Sequence, residues 1–466
     1  MNSVSLANDS SRSLFLAGSL FLICLSTFVF LFWSRNAAMV ELVYPIAMVV
    51  VAGTLYITRP AIFLGFCWWI WFITPFVRRV VGYQTGVYDA TSAIMLTPYL
   101  VTALSLITFV RLGKQLLHAR YFPFLLSILG IVYGFLVGVV EAGVFSAMFG
   151  VLQWLMPVMM GLHVLLLWQD YPEHRRVIRE TFTWGILLMG LYGIYQFINP
   201  PPWDAHWLTY SGMTSSMGQP EPYSIRIFST LNSTGPFAIM TMVGLVLLFD
   251  GRGFMAPVAA IPGYISLLLT LVRAAWGGWL IALAFLALRV RGSARSRLFV
   301  FLLVGVGLSV PLVLINAPMS ERVTNRMGTV GNIGEDGSFQ ARLDLYARAS
   351  PRIATSLIGE GIGSYGTAAK LSTGSAVNFD SGVLQIPITL GWLGTFLYIG
   401  GLAIMVSRVW RIREEDTDRF AVIVTGVVLA LLVLLIFQNQ LIGTSGMVTW
   451  IFLGLALAAE AYYAQQ

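Results

Sequence analysis

Charged residues are scarce in this chain, and their scarcity identifies the solvent in which it folds. Asp, Glu, Lys and Arg make up 11% of its 466 residues, whereas ordinary soluble chains carry roughly 25%. Hydrophobic residues make up 57%. A water-soluble protein of this length requires a more polar surface, so the composition excludes a soluble enzyme, a nucleic-acid-binding protein and a disordered chain. Most of this chain is therefore expected to lie in lipid.

Cysteine and histidine are also few. Both cysteines, Cys24 and Cys67, fall inside apolar runs, which excludes a disulfide framework and a cysteine metal site. His163 lies in an apolar run, His118 and His174 lie in basic loops, and no spacing resembles a zinc site. No metal or other cofactor is expected. The net charge of +7 marks cytoplasmic loops in a membrane protein and not a nucleic-acid partner.

Long apolar runs are what the chain has in abundance. A helix needs about 20 mostly apolar residues to cross the hydrocarbon, because no backbone polar group can stay unpaired there. About fourteen such runs predict an all-α, polytopic transmembrane helical bundle of twelve to fourteen spans, in one transmembrane domain covering residues 1–466. The runs lie near 14–33, 42–57, 61–77, 94–110, 122–140, 144–168, 181–198, 236–249, 254–272, 274–288, 298–315, 383–406, 420–437 and 447–464.

Four basic loops indicate the orientation. If the runs alternate across the bilayer, all four loops lie on one side, which the positive-inside tendency makes cytoplasmic. Both termini are then cytoplasmic, and the first run is an uncleaved anchor because it lacks a short apolar region with a small-residue cleavage site. The loops contain Arg111, Lys114 and Arg120; Arg175, Arg176 and Arg179; Arg289, Arg291, Arg295 and Arg297; and Arg408, Arg411, Arg413 and Arg419.

Two long segments, 199–235 and 316–382, fall on the opposite side and are predicted to be periplasmic loops. Loops of this length are uncommon unless they bind or catalyse something, so we expect the active site there. The second loop contains a short amphipathic helix over 339–348, for which Ser338 is the expected N-cap.

The outward basic residues are almost all arginine. Cations on the translocated side run against the topology bias, and the planar guanidinium suits phosphate or carboxylate, so they indicate an anionic ligand. Solvation and contact with lipid headgroups remain the alternative. These residues are Arg35, Arg78, Arg79, Arg226, Arg273, Arg322, Arg326, Arg342, Arg348, Arg352 and Lys370.

Local sequence separates some of these arginines. Arg273 lies between two apolar runs with almost no turn around it, so it lies at the membrane boundary, where an arginine is costly unless it is paired or faces a wet cavity. A snorkelling anchor is the alternative. Helical spacing brings Arg342 to the apolar face of the predicted short helix and Arg348 to the opposite, solvated face. The apolar face also takes Phe339, Leu343 and Tyr346, and the opposite face takes Asp344.

The first long segment combines one arginine with several aromatic residues. Arg226 precedes a span and is followed by hydroxyl and amide side chains, a donor set suited to phosphate, with an interfacial anchor as the alternative. His206 and Tyr223, with their aromatic neighbours, suit the apolar face of a sugar, although an aromatic interface belt explains them nearly as well. The paired Arg78 and Arg79 fit a headgroup phosphate of the substrate or of a bilayer lipid.

Asp380 is the carboxylate that stands apart from the others. It lies at the mouth of the twelfth predicted span, where it could act as a general base or orient an acceptor hydroxyl, and where it could equally be a helix N-cap. Two motifs are set aside. Residues 361–366 satisfy GxGxxG but lack a βαβ context and indicate a tight turn. Asp416-Thr-Asp418 indicates a solvated cytoplasmic loop.

Four segments, taken in order, resemble the O-antigen polymerase and O-antigen ligase superfamily of bacterial membrane glycosyltransferases. They are Arg226-Ile-Phe-Ser-Thr-Leu-Asn-Ser-Thr-Gly-Pro, then Thr270-Leu-Val-Arg-Ala-Ala, then Gln340-Ala-Arg-Leu-Asp-Leu-Tyr followed by Gly359-Glu-Gly-Ile-Gly-Ser-Tyr, and then Asp380 followed by Leu390-Gly-Trp-Leu-Gly. The resemblance covers about residues 170–405.

The resemblance implies transfer of an oligosaccharide from an undecaprenyl diphosphate carrier to a hydroxyl of an acceptor glycan, at the periplasmic face of the bacterial inner membrane. It implies that Arg226, Arg273 and Arg342 contact the diphosphate. The ligase branch has a histidine where this chain has Asp380, which favours a repeat-unit polymerase for a cell-surface or exported polysaccharide. A chain-length regulator protein is kept open as a partner.

The chemistry agrees with this expectation. Breaking the sugar–diphosphate bond develops negative charge that fixed guanidinium groups stabilise without a metal. A single displacement, with Asp380 accepting the acceptor's proton, inverts the anomeric centre. Ligase-type transfer to a lipid or protein acceptor is the near alternative. A flippase or transporter is the second, although transporters usually contain two related halves.

Overall fold

The computed structural model describes residues 37–251, 253–290, 292–331, 337–373, 379, 381–413 and 417–466, and every regular element among them is helical. The first predicted span, 14–33, lies outside these residues. The described chain divides into two compact units. Unit 1 takes the described residues up to Leu104, together with Pro172–Thr270 and Leu308–Val310. Unit 2 takes Ser105–Tyr171, Leu271–Gly307 and Pro311–Gln466.

Unit 1 is built on two long helices that pack side by side near the start of the described chain. The spans expected at 42–57 and 61–77 are confirmed as the helices Ala37–Thr58 and Pro60–Thr85. Gly65 of the second helix lets the helix Tyr171–Ile198 approach closely, since a Cβ there would lie 2.6 Å from Val177. The helices of unit 1 are α1 (Ala37–Thr58), α2 (Pro60–Thr85), α3 (Thr97–Ala103), most of α7 (Tyr171–Ile198), α8 (Pro202–Tyr210), α9 (Thr214–Met217), α10 (Thr234–Leu247) and α11 (Met255–Leu269).

Unit 2 is centred on buried helices from the C-terminal part of the chain. Tyr398, Trp154 and Trp450 meet in its core, with ring centroids 5.4 to 5.7 Å apart. Its helices are α4 (Ser105–Arg111), α5 (Phe122–Glu141), α6 (Val144–Leu166), α12 (Arg273–Arg289), most of α13 (Ser293–Ile315), α14 (Ala317–Gly331), α15 (Gly337–Thr355), α16 (Lys370–Thr373), α17 (Gly382–Val409), α18 (Arg419–Val433) and α19 (Gly443–Tyr463).

In the described part of the chain, nine helical segments are long and apolar enough to cross a membrane. Each matches a predicted run, and the expected 122–140, for instance, is found as α5. The helices near 236–249 and 254–272 are shorter than a span requires. The chain is therefore a multi-pass helical membrane protein, and the total of twelve to fourteen spans stays a prediction.

The outer face of α1 is apolar, as a lipid environment requires. Leu42, Ile46, Val50 and Ile57 are exposed along one stripe, while Tyr44, with its neighbours on the other stripe, is buried against the unit. A soluble protein rarely exposes a continuous apolar stripe of this kind. The pattern supports burial of α1 in a bilayer.

The described part of the second long segment is mostly helical and contains longer helices than the one expected over 339–348, while its periplasmic position stays a prediction. Both α14 and α15 lie in it, and α15 continues seven residues beyond the predicted end at Arg348. The sequence signal for α14 is weak because the helix is polar on all but a narrow face, where Met319 and Val323 are buried one turn apart.

A glycine-rich turn, residues 359–366, packs between α5, α6 and α17 in unit 2. Ile362 N–H donates to the carbonyl of Gly134 in α5 over 2.8 Å. A Cβ on Gly138 would lie 1.9 Å from the Ile362 carbonyl oxygen, and a Cβ on Gly361 would lie 2.2 Å from the Gly138 nitrogen. Only glycine permits this backbone contact, and Gly361 also has φ +79°, which favours glycine. This turn leads from α15 into the segment before α17.

Candidate functional site

Arg273 is the first residue of α12 in unit 2. The chain reaches it through Leu271, whose φ of +55° is strained for a residue with a branched side chain. Arg326 of α14 donates its Nε–H to the Leu271 carbonyl over 3.2 Å, so a second guanidinium lies beside the same helix start. The N-terminus of a helix carries unpaired N–H groups and a positive dipole end. The start of α12 therefore combines Arg273, the guanidinium of Arg326 and the positive end of the helix dipole.

The α15 helix packs on α17 through a different face from the one predicted. Its buried side carries Leu345, Tyr346, Ala349 and Ile353, whereas Leu343 is 48% exposed. The expected inward placement is confirmed for Tyr346 and wrong for Leu343. The reason is that α17 packs on the side of α15 that carries Leu345, Ala349 and Ile353. The apolar character of a helix face does not by itself indicate which side a neighbouring helix covers.

Tyr346 connects α15 to the start of α17. Its hydroxyl lies 2.7 Å from Ser381 Oγ and 3.2 Å from the Ile436 carbonyl. Ser381 is the N-cap of α17 and accepts from the Leu384 N–H. The N-cap position of this helix is therefore held by Ser381, and both predicted roles of Asp380 stay predictions. Asp380 itself lies outside the described residues.

Arg348 lies on the solvated face of α15, as predicted. Its side chain is 81% exposed and pairs with Asp344 at 3.8 Å, the residue expected beside it. Arg342 occupies the helical position one turn before Tyr346, and the structure describes its backbone only. The role of each in substrate binding stays a prediction.

Glu360 is a carboxylate that sequence reasoning did not select. Its Oε1 pairs with Arg352 at 2.6 Å, and its Oε2 accepts from the Tyr365 hydroxyl. Burial, and then the hydrogen bond with Glu360, raise the pKa of Tyr365. The Tyr365 ring lies against Phe379, with centroids 4.8 Å apart. The residues on both sides of position 380 are thus held, by Tyr365 through Phe379 and by Tyr346 through Ser381.

In unit 1, Arg79 forms a fully buried ion pair. Its Nε lies 2.7 Å from Asp204 Oδ1, and both side chains are 0% exposed. The remaining donors of the guanidinium reach the carbonyls of Ser229, Thr230 and Leu231. The carboxylate of Asp204 also accepts from two side chains of α7, Tyr192 over 2.7 Å and Gln196. Protein groups therefore contact all three nitrogens of the Arg79 guanidinium.

Arg78, its neighbour, lines a cavity of about 330 Å³. Its guanidinium lies over the rings of Trp207 and Tyr88, 4.6 and 5.4 Å from their centroids, and donates to the Asp89 carbonyl. His206 of α8 lines the same cavity, and burial lowers its pKa. The other lining residues are Ala38, Glu41, Arg79, Gly82, Thr85, Val87, Asp89, Ser92, Trp207 and Tyr88.

Arg226 and Tyr223 help to hold the first long segment in place. Arg226 donates to the carbonyls of Thr270 and Ser216, each over 3.1 Å. Tyr223 has φ +61°, and its ring packs on Phe197. Neither residue is among those that line the cavity of Arg78 and His206.

The two motifs set aside earlier have structural roles. Residues 361–366 form the glycine-rich turn, as predicted. Asp418 is the N-cap of α18 and accepts from the hydroxyls of Tyr171 and Tyr463, so it is a structural cap rather than a solvated residue. Asp416 lies outside the described residues. Within the described chain, no cluster of three or more His, Cys, Asp or Glu side chains has the arrangement of a metal site.

Comparison with protein families gives one match. A family model described as O-Antigen ligase matches residues 257–399. The match confirms, over that segment, the resemblance to the O-antigen polymerase and ligase superfamily. It contains Arg273, Arg342, Arg348 and Asp380, and it leaves Arg226 outside. No curated protein matches the chain.

Proposed function

We propose that the protein is an inverting, metal-independent membrane glycosyltransferase that polymerises a polyprenyl-diphosphate-linked oligosaccharide repeat unit. The observation that carries the proposal is the O-antigen ligase match over 257–399, since that segment contains Arg273, Arg342 and Asp380. The donor is an undecaprenyl-diphosphate oligosaccharide, and the acceptor is a glycan hydroxyl. The reaction takes place at the periplasmic face of the bacterial inner membrane, in contact with membrane lipids.

The start of α12 is the proposed site for the donor's diphosphate. Arg273 begins the helix, and Arg326 donates to the carbonyl two residues before it. Helix N-termini bind phosphate through N–H groups and the dipole, and nearby guanidinium groups add charge-assisted hydrogen bonds. As the sugar–diphosphate bond breaks, negative charge grows on the phosphate oxygens, and fixed cations stabilise it at the moment it develops. We assign Arg342 the same task.

Asp380 is the proposed general base. The acceptor hydroxyl attacks the anomeric carbon, its proton passes to the carboxylate, and the diphosphate leaves with the bonding electrons. A base must be held within hydrogen-bond reach of its proton. The contacts of Tyr346 with Ser381 and of Tyr365 with Phe379 support such positioning, because they fix the residues on either side. Tyr346 and Tyr365 are therefore proposed as positioning residues.

The experiment that tests the proposal uses purified protein in nanodiscs with a polyprenyl diphosphate oligosaccharide. A ladder of lengthening products supports a polymerase. A single product on a lipid or protein acceptor would instead indicate the ligase, and movement of the intact donor across a vesicle membrane without new bonds would indicate a flippase. Product length should not change on chelation of divalent metals.

Two variants control this assay. Arg273→Ala should remove transfer, whereas Arg295→Ala replaces an exposed guanidinium of α13 and should leave it unchanged. Asp380→Asn should lower turnover far more than donor binding. Full turnover in Asp380→Asn would exclude the general-base role.

A further inference from the structure

The cavity of Arg78 and His206 has the wrong charge for the phosphate that an arginine pair suggests. Two carboxylates, Glu41 and Asp89, line it together with the two arginines. Arg79 is neutralised by Asp204, and each of its three nitrogens already contacts a protein group. Arg78 is the remaining guanidinium, and its Cζ lies over the rings of Trp207 and Tyr88. A diphosphate placed here would lie near two carboxylates, Glu41 and Asp89, and near only one guanidinium that is not already paired with a carboxylate, that of Arg78. Like charges held close together are destabilising.

His206 does not alter this balance. Burial lowers the pKa of its imidazole, which favours the neutral ring. The ring is tilted by 41° against that of Tyr210, with ring centroids 4.5 Å apart, and it adds an aromatic surface to the cavity.

Hydroxyl-binding groups are well represented in the cavity wall. Glu41 accepts from Ser92 Oγ over 3.0 Å, which leaves its other carboxylate oxygen as an acceptor. Trp207 also lines the cavity, is 7% exposed, and contributes its ring to the wall. A volume of about 330 Å³ is at the lower end for small-molecule sites, which suits one end of a chain.

We infer that this cavity binds the terminal sugar of a glycan that carries hydroxyl groups, and at most an amine, but neither carboxylate nor phosphate. Glu41 and Asp89 accept hydrogen bonds from the sugar hydroxyls, Arg78 donates to ring or hydroxyl oxygens, and the aromatic rings cover an apolar sugar face. Assigning this sugar to the acceptor rests on the proposed transferase function. The cavity is then an acceptor site chemically distinct from the diphosphate site.

Binding is tested by saturation-transfer NMR on the full-length protein in nanodiscs. The probes are methyl glucoside, methyl galactoside, rhamnose, N-acetylglucosamine, glucosamine, glucuronic acid and inorganic pyrophosphate. At least one non-acidic sugar should bind, and neither glucuronic acid nor pyrophosphate should displace it. Binding of none of the sugars, or displacement by pyrophosphate, overturns the inference.

Glu41→Gln tests the carboxylate while keeping an acceptor for Ser92. Because a hydrogen bond to a charged group is lost, sugar affinity should fall about tenfold or more. Glu221→Gln removes an exposed carboxylate of unit 1 outside the cavity and should change nothing. Equal affinity of Glu41→Gln and wild type contradicts the assignment.

Site-specific protection locates the bound sugar. Thr85 lines the cavity and is exposed, so Thr85→Cys in a Cys24→Ala background can be alkylated by a maleimide, whereas Cys67 is buried. The bound sugar should slow this alkylation severalfold, and pyrophosphate should not. Ser215→Cys, an exposed position outside the cavity, should not be protected. Equal protection of both cysteines, or of neither, overturns the location.

These assays need neither donor nor turnover. Protection of Thr85→Cys in a protein that transfers nothing would overturn the proposed function and leave the sugar site supported. Transfer by a protein that binds no sugar in the cavity would overturn the sugar site and leave the proposed function supported.

Discussion

The two long segments, 199–235 and 316–382, use charged side chains in opposite ways. In unit 1, the first segment supplies Asp204 to a buried pair with Arg79, and its own Arg226 is engaged with two backbone carbonyls. In unit 2, the second segment carries Arg348 and Arg352 on exposed parts of α15, paired with carboxylates at the surface.

The difference separates arginines that maintain the fold from arginines that can respond to a ligand. A buried ion pair cannot be broken without leaving an uncompensated charge in the interior, so it is a fixed structural part. An exposed pair exchanges partners at little cost. Residue type and predicted outward placement are shared by both groups, so only packing distinguishes them.

The largest effect is expected from breaking the buried pair. Arg79→Ala leaves Asp204 uncompensated and should lower the free energy of unfolding by about 3–5 kcal/mol, seen as loss of monodisperse protein in detergent and a lower melting temperature. Arg79→Ala with Asp204→Asn should recover part of this loss. Arg176→Ala, which breaks an exposed pair with Glu173, should leave the melting temperature unchanged. Wild-type stability of Arg79→Ala would show that the buried arginine does not stabilise the fold more than the exposed arginines do.

The next effect is catalytic and should leave the fold in place. Arg273→Ala removes a cation from the start of α12 and should reduce transfer by about 100-fold or more, the size expected for losing a group that stabilises developing charge. Protein yield and elution profile should match wild type. Arg273→Lys should recover little, because a lysine lacks the planar fork. A parallel fall in yield and activity would place Arg273 with the structural arginines.

A smaller effect is expected at the contact between α15 and α17. Tyr346→Phe loses the hydroxyl that reaches Ser381, which should cost about 1 kcal/mol of stability and slow turnover without changing donor affinity. The exposed Tyr195 provides a matched Tyr→Phe control in unit 1. Unchanged turnover in Tyr346→Phe would show that residue 380 does not depend on this contact.

The smallest effect is expected at the exposed pair. Arg348→Ala should change the free energy of unfolding by less than about 0.5 kcal/mol, because solvent screens the pair with Asp344. Transfer kinetics at several donor concentrations give the second measurement. A higher KM with unchanged kcat would make Arg348 a substrate contact, and no change in either would leave it a solvated residue.

Hydropathy predicted the spans well because the apolar character of a span depends only on the residues within it. The run expected at 383–406 became α17, and the runs around α5 and α6 were placed within a few residues. The end of α11 was missed by three residues, since the break depends on the backbone conformation of Leu271, for which the sequence has no glycine or proline signal.

The candidate site was less accessible to sequence reasoning. Arg79 and Asp204 are 125 residues apart in the chain, and nothing local indicates that they pair. Glu360 lies beside a motif that was correctly predicted to be a turn. The role of its carboxylate follows only from its contacts with Arg352 and Tyr365, which the sequence does not indicate. Residues from three separate stretches of unit 1 line the cavity, so its charge balance is a property of packing alone.

The glycine-rich turn has a consequence for biosynthesis. The ribosome makes α5 and α6 long before it makes Gly361, yet the two helices form part of the slot that this turn fills. Domains assembled during synthesis expose such surfaces until the later partner arrives. The surface beside Gly138 is therefore expected to stay uncovered until the turn has been made, and an alanine at Gly138 is expected to prevent the turn from packing there. We expect the nascent α5–α6 hairpin to be the stage at which membrane insertion factors and proteases encounter this protein.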